Sequence, residues 1–307
     1  MNAQPSMGIT EAPRPDRSTL LAFSATVLIG GLNFLLVKFS NEELPPIYGA
    51  GVRFGLGGLV FLGIALARKM ALPRGRALAG AAVYGLLNFG VGYALVYFAL
   101  TRLQVGTTSV IMALVPLLTL VFAVFHGQER FTGRGVAGAL LALAGITMLS
   151  LRSLGADAPA LYLLAVFGGA CAAAESTVLV KGFPRAHPVT TNAAGMGAAS
   201  LLLFAISVGF GESWVLPRTG RTWLVVAWLV VVGSVGLFGL VVFVIRRWTA
   251  SAAVYALTLM PVVAVVAGSL FAGDHCNHRH QGQGVNRGRG GPAPDHEDDQ
   301  AEQPHRT

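Results

Sequence analysis

Nine times between residues 18 and 273 the chain runs for about twenty residues with hardly a charge, a length that matches the hydrocarbon thickness of a bilayer. With no water at that depth, backbone N–H and C=O groups must be satisfied inside a helix or around a closed barrel. The runs are more than twice a barrel strand's length and do not alternate polar with apolar residues, so an all-α integral membrane bundle is expected. Helices are predicted at 18–40, 45–67, 77–100, 103–126, 133–151, 158–181, 188–211, 221–245 and 248–273. Ser18, Pro46, Pro159 and Pro188 stand near starts, where a capping hydroxyl or a missing N–H is tolerated. Composition agrees: 54% hydrophobic residues, 12% charged and a mean hydropathy of +0.64 do not fit the surface of two soluble domains. Disorder and a disulfide scaffold fall too, Cys171 and Cys276 being the two cysteines.

The net charge of +8 does not point to nucleic acid, because the 22 basic residues stand singly or in pairs between apolar runs instead of forming one stripe. Counted over alternate connections before the tail, eleven Lys and Arg fall on one side and four on the other. The positive-inside rule then places the amino terminus in the cytoplasm. Residues 1–17 are polar and carry no cleavage signal behind a short apolar core, so the first helix is read as uncleaved.

The two halves of the chain resemble each other. A shift of 143 places Lys38 on Lys181 and Pro45 on Pro188, and a shift of 145 places Arg102 on Arg247, Pro116 on Pro261 and Glu129 on Asp274. Five helices separate the copies, so the second enters the membrane upside down, the inverted-repeat plan of secondary transporters. The expected organisation is a cytoplasmic segment 1–17, a five-helix repeat 18–151, a four-helix repeat 158–274 and a polar, disordered tail 275–307. A tenth helix, which the symmetry asks for, is missing from that tail.

The proline-centred stretch Ala113-Leu114-Val115-Pro116, running on to Gly127-Gln128-Glu129 and the glycine-rich 135–149, has its repeat in Leu259-Met260-Pro261 to Gly273-Asp274. With Arg53 in the second helix, this pattern resembles the drug/metabolite transporter superfamily, specifically its EamA-type exporters, over residues 18–274. The resemblance implies export of small metabolites or drugs, amino-acid-like compounds among them, across a bacterial cytoplasmic (inner) membrane by alternating access. It implies no cofactor and no enzymatic chemistry. Expected partners are the small-molecule substrate, the bilayer and protons, with room for a homodimer.

Within the spans, Arg53 is costly: a charge at a helix centre carries about 2.5 to 3.5 kcal/mol on insertion scales, so it is read as an anion contact, as a structural partner of helix-end carbonyls, or as snorkelling toward the nearby outer surface. Glu175, some 17 residues into the sixth helix, is read as a substrate-binding and coupling group or as one half of an ion pair with Lys38, Lys181 or Arg53. Lys38 and Lys181 themselves are expected to snorkel. Asn33 and Asn88 must bond either to substrate or to a neighbouring helix. Tyr93 and Tyr97, four apart, share one helix face and offer a cavity wall or simple packing. Pro116 and Pro261 are expected to bend their helices around the cavity. No strand precedes the glycines of the third and eighth helices and no Gly-Lys-Ser/Thr occurs, so ATP is not expected.

The tail carries His275, Cys276, His278 and His280, a spacing able to hold zinc. Its abrupt polarity fits better with a shifted reading frame, so no metal site is expected. The rival to an exporter is therefore a truncated, transport-inactive multi-pass protein.

Overall fold

The computed structural model describes residues 15–128, 141, 160–248 and 250–271. Among them, seven helices are long and apolar enough to cross a membrane. α1 is Arg17–Ser40 and α2 is Pro46–Ala67. The third span is composite: α3 (Arg76–Gly85), a π segment (Leu86–Gly92) and α4 (Tyr93–Leu100). The fourth comprises α5 (Val105–Met112) and α6 (Val115–Phe125). α7 is Ala160–Leu179, ending in a 3-10 turn at Val180–Gly182, and α8 is Pro188–Gly209. α9 (Gly220–Val230), a second π segment (Val231–Gly236) and α10 (Leu237–Arg247) form one further span, followed by α11 (Ala250–Phe271). Apart from Leu141, the helix expected at 133–151 lies outside the described residues, as do Pro159, Glu129, Asp274 and the tail with its His and Cys residues.

Local chemistry sets the helix starts. Pro46 and Pro188 occupy first-turn positions, as their missing N–H groups allow. At α1 the cap is Asp16, not Ser18: its carboxylate accepts from Thr19 N at 2.9 Å, and the Ser18 hydroxyl donates to it at 2.9 Å. The two central prolines behave differently. The fourth span breaks at Ala113–Leu114, with Pro116 in the first turn of α6, whereas α11 runs through Pro261 without a break.

The repeat offsets hold for elements as well as residues. An offset of 143 carries α1 onto α7, and 145 carries the fourth span onto α11 and one π segment onto the other. The halves are intertwined. α2 packs most extensively on α8, its own symmetry mate. α1 lies chiefly against α11, α10 and α9 of the second repeat, while α7 lies against the third and fourth spans of the first. Phe54, Phe89, Tyr97, Met196 and Leu203 fill the centre, while Leu21, Leu201 and Leu224 point outward more than 70% exposed, as lipid-facing side chains do.

Close approach depends on missing side chains. A Cβ on Gly85 would sit 2.1 Å from the Gly195 carbonyl oxygen, so α3 and α8 touch backbone to backbone. Gly85→Ala is therefore expected to lower stability by about 1–3 kcal/mol, the usual cost of overpacking. Thermal unfolding in detergent checks this, with Gly63→Ala, which meets nothing within 4 Å, expected to change little.

Candidate functional site

Arg53 sits two turns into α2, and the start of that helix is held by the other repeat. The Glu212 carboxylate accepts from Ile47 N at 3.1 Å and Tyr48 N at 2.8 Å, satisfying two of the orphan donors of the first turn. The Arg53 side chain is 2% exposed and does not snorkel. Its Nε donates to Ser234 Oγ at 3.2 Å, Nη2 to the Gly233 carbonyl at 3.2 Å and Nη1 to the Tyr97 hydroxyl at 3.5 Å. The guanidinium also stands 5.2 Å from the Phe54 ring centre and 5.4 Å from that of Tyr93, where the ring faces attract a cation. Every partner of Arg53 among the described residues is thus neutral.

Asn33 joins the same place. Its Nδ2 donates to the Gly233 carbonyl at 3.1 Å, and its buried Oδ1 has no hydrogen-bond partner. Four of the residues singled out in the sequence, Asn33, Arg53, Tyr93 and Tyr97, are therefore brought together. Asn88 stands apart, its amide donating to the Tyr84 hydroxyl at 3.2 Å. It connects to the cluster through aromatic packing: Tyr84 on Phe89 at 5.5 Å, Phe89 on Phe54 at 5.2 Å, Phe54 on Tyr93 at 4.8 Å. Gly233 belongs to the glycines of the eighth helix noted in the sequence, whereas Ser234, an uncharged small residue in an apolar run, carries no sequence signal.

Glu175 lies at the opposite end of the bundle. Its Oε1 is 3.1 Å from His126 Nε2, both side chains partly exposed, while His126 Nδ1 is 2.9 Å from the Phe122 carbonyl. The partner is a histidine just past α6, none of the three cations weighed from sequence. Beside it, Gln128 Nε2 donates to the Val178 carbonyl at 3.2 Å, so both contacts tie the fourth span to α7.

At the other end, carboxylates join the two repeats. Glu43 accepts from Arg218 N at 2.8 Å, Thr219 N at 3.2 Å and the Thr219 hydroxyl at 2.5 Å. Glu42 pairs with Arg221 at 3.2 Å, and that guanidinium lies 4.2 Å from the Phe39 ring centre. Tyr48 stacks on Trp214 at 5.7 Å. These contacts join the α1–α2 connection to the α8–α9 connection, one from each repeat. The Thr219 hydroxyl, with the backbone N–H groups of Arg218 and Thr219, holds the Glu43 carboxyl at about 2 against a smaller opposing effect of burial.

With this arrangement in view, comparison with known proteins identifies the class. The EamA-like transporter family matches residues 17–151 and 160–280, and the chain belongs to that family. It is 31% identical over 256 residues to the uncharacterized inner membrane transporter YedA of Escherichia coli K12, covering 82% of each chain. It is 32% identical over 223 residues to the aromatic amino acid exporter YddG of Ancylobacter novellus, covering 72% of this chain and 76% of that one. A solved crystal structure superposes with a TM-score of 0.60 at 24% identity, over 82% of this chain and 89% of the other, and so shares the fold. The protein is a multi-pass membrane transporter.

Because the Glu43 carboxyl falls from an ordinary 4.5 to about 2 on folding, its contribution is complete above pH 4.5 and is lost as pH drops through 2. Glu43→Gln is expected to be less stable than the native protein at neutral pH, with the difference shrinking between pH 4.5 and 2. Thermal midpoints followed across that range test it.

Proposed function

We propose that this protein exports small carboxylate-bearing organic metabolites, amino-acid-like compounds foremost, across the cytoplasmic membrane by alternating access. One observation carries the reading: Arg53, buried within a span, is balanced only by neutral groups among the described residues. A desolvated guanidinium so placed attracts an anion strongly, and its planar donors suit a carboxylate. Beside it, Phe54, Tyr93 and Phe89 offer an apolar, aromatic wall for the rest of the molecule. The Ancylobacter relative, named as an aromatic amino acid exporter, supports the same substrate class.

Two seams between the repeats, at opposite ends, support the reading of alternating access. With the amino terminus cytoplasmic, the Glu42–Glu43–Glu212 seam faces outward and the His126–Glu175 seam faces the cytoplasm. Each seam closes one exit, so opening one while the other holds moves the substrate across. Glu175 is the coupling group in this scheme, since a proton on its carboxylate removes the negative half of the cytoplasmic pair.

Proteoliposome transport tests both roles. Arg53→Met is expected to cut saturable transport of L-phenylalanine by at least about tenfold, ~1.4 kcal/mol, while Arg53→Lys retains part of it. Equal transport by the native protein and Arg53→Met would remove Arg53 from substrate recognition. Glu175→Gln is expected to abolish the response to an imposed proton gradient and to spare substrate exchange. Full gradient-driven transport by that variant would end its coupling role.

A further inference from the structure

The two π segments hold equivalent places in the two repeats, Leu86–Gly92 and Val231–Gly236. In a π turn the backbone contact reaches five residues back, and one extra residue is accommodated; such bulges recur at functional sites. The geometry is visible in side chains too. The Ser234 hydroxyl donates to the Leu229 carbonyl, five residues earlier, at 3.0 Å. A Cβ on Gly236 would meet the Val231 carbonyl oxygen at 3.4 Å, and one on Gly92 the Leu87 carbonyl oxygen at 3.2 Å.

What braces the two segments differs. The Gly233 carbonyl accepts from both Asn33 Nδ2 and Arg53 Nη2, and Ser234 Oγ accepts from Arg53 Nε. Gly233 also lacks the Cβ that would collide with Asn33 Oδ1 at 2.2 Å. For the first π segment the equivalent residues come from the second repeat, where the offset of 143 places Met196 opposite Arg53 and Ser176 opposite Asn33. Met196 has no donor, and the Ser176 hydroxyl bonds within its own helix, to the Ala173 carbonyl at 2.6 Å. Symmetry gives both repeats the bulge; among the described residues, only the second has a guanidinium and an amide from other helices tied into it.

We infer that the second π segment is a register switch, with Asn33 and Ser234 as positioning residues that hold Arg53 and the bulge together until an anion draws the guanidinium away. The inference rests on the reading of Arg53 as the carboxylate contact. When Arg53 turns to a carboxylate, Gly233 loses one of its two donors and Ser234 loses its charged partner. The segment then relaxes to the α register, and α10 rotates by one residue, about 100° at 3.6 residues per turn. That rotation carries Phe238 off Phe89 and Phe61 and carries Val244, 1% exposed, away from Ala22 of α1. It also moves Arg247, which pairs with Asp16 at 3.6 Å. Occupancy in the middle of the bundle is thereby transmitted to the end that bears Asp16.

Disulfide crosslinking reads the rotation directly. In the full chain carrying Cys171→Ser and Cys276→Ser, the pair Ala22→Cys and Val244→Cys is expected to crosslink on mild oxidation. Asn33→Ala or Ser234→Ala, or deletion of Val232, should abolish that crosslink without ligand, and Ser234→Thr should keep it. A second pair, Glu43→Cys and Thr219→Cys, precedes the bulge and should crosslink in every variant, separating rotation from general loosening. Saturating L-phenylalanine should abolish the Ala22–Val244 crosslink, and its methyl ester should not.

If Asn33→Ala and Ser234→Ala leave the crosslink intact, or if both pairs fail together, the switch is overturned. If L-phenylalanine is transported in an Arg53-dependent way but leaves the crosslink unchanged, the switch is again overturned while the substrate reading stands. If L-phenylalanine is not transported at all, the substrate reading fails instead, and the ligand-free variants alone decide whether Asn33 and Ser234 brace the bulge.

Discussion

A guanidinium held away from water has to be solvated by the protein itself, and the interior of this transporter is organised around that requirement. Arg53 collects a hydroxyl, a carbonyl, a phenol and two ring faces, contributed by α2, the third span and the second π segment. None of these groups cancels its charge. Such solvation lowers the cost of burying the cation without removing its pull on an anion, a combination suited to reversible binding.

The intertwining of the repeats couples the two halves mechanically. Because α1 packs against the second repeat and α7 against the first, neither half can shift without moving helices of the other. The contacts that hold the two ends differ in strength. Glu43 and Glu212 are buttressed by backbone N–H groups at helix starts, where the helix dipole adds to the hydrogen bonds. The opposite end relies on a His126–Glu175 pair with partly exposed side chains, which water and counter-ions weaken.

Much of the architecture was legible from the chain. Span lengths, the proline positions and the 143 and 145 offsets each follow from local chemistry or from duplication, and the observed elements obey those offsets down to the two π segments. Four of the six candidate site residues converge, because charge or amide groups in an apolar span are conspicuous and have few places to go. The departures have separate causes. Ser18 was chosen as a cap where Asp16 competes better for the Thr19 N–H, and His126 was overlooked because a residue at a helix end carries no periodic signal. Ser234 was missed because a hydroxyl among valines is inexpensive to bury once it bonds back to its own helix.

The sequence by itself determined that the chain is a duplicated, inverted set of membrane helices with charged side chains, Arg53 and Glu175 among them, placed within the spans, since hydrophobic length and burial cost are properties of a segment. Which groups meet those charges was decided by tertiary structure alone. Asn33 and Arg53 find Gly233 and Ser234 about 180 to 200 residues away, Ile47 and Tyr48 are capped by Glu212 some 165 away, and Glu175 reaches back to His126. Hydrogen bonds act over about 3 Å in space, and no spacing along a chain encodes them until the helices have packed.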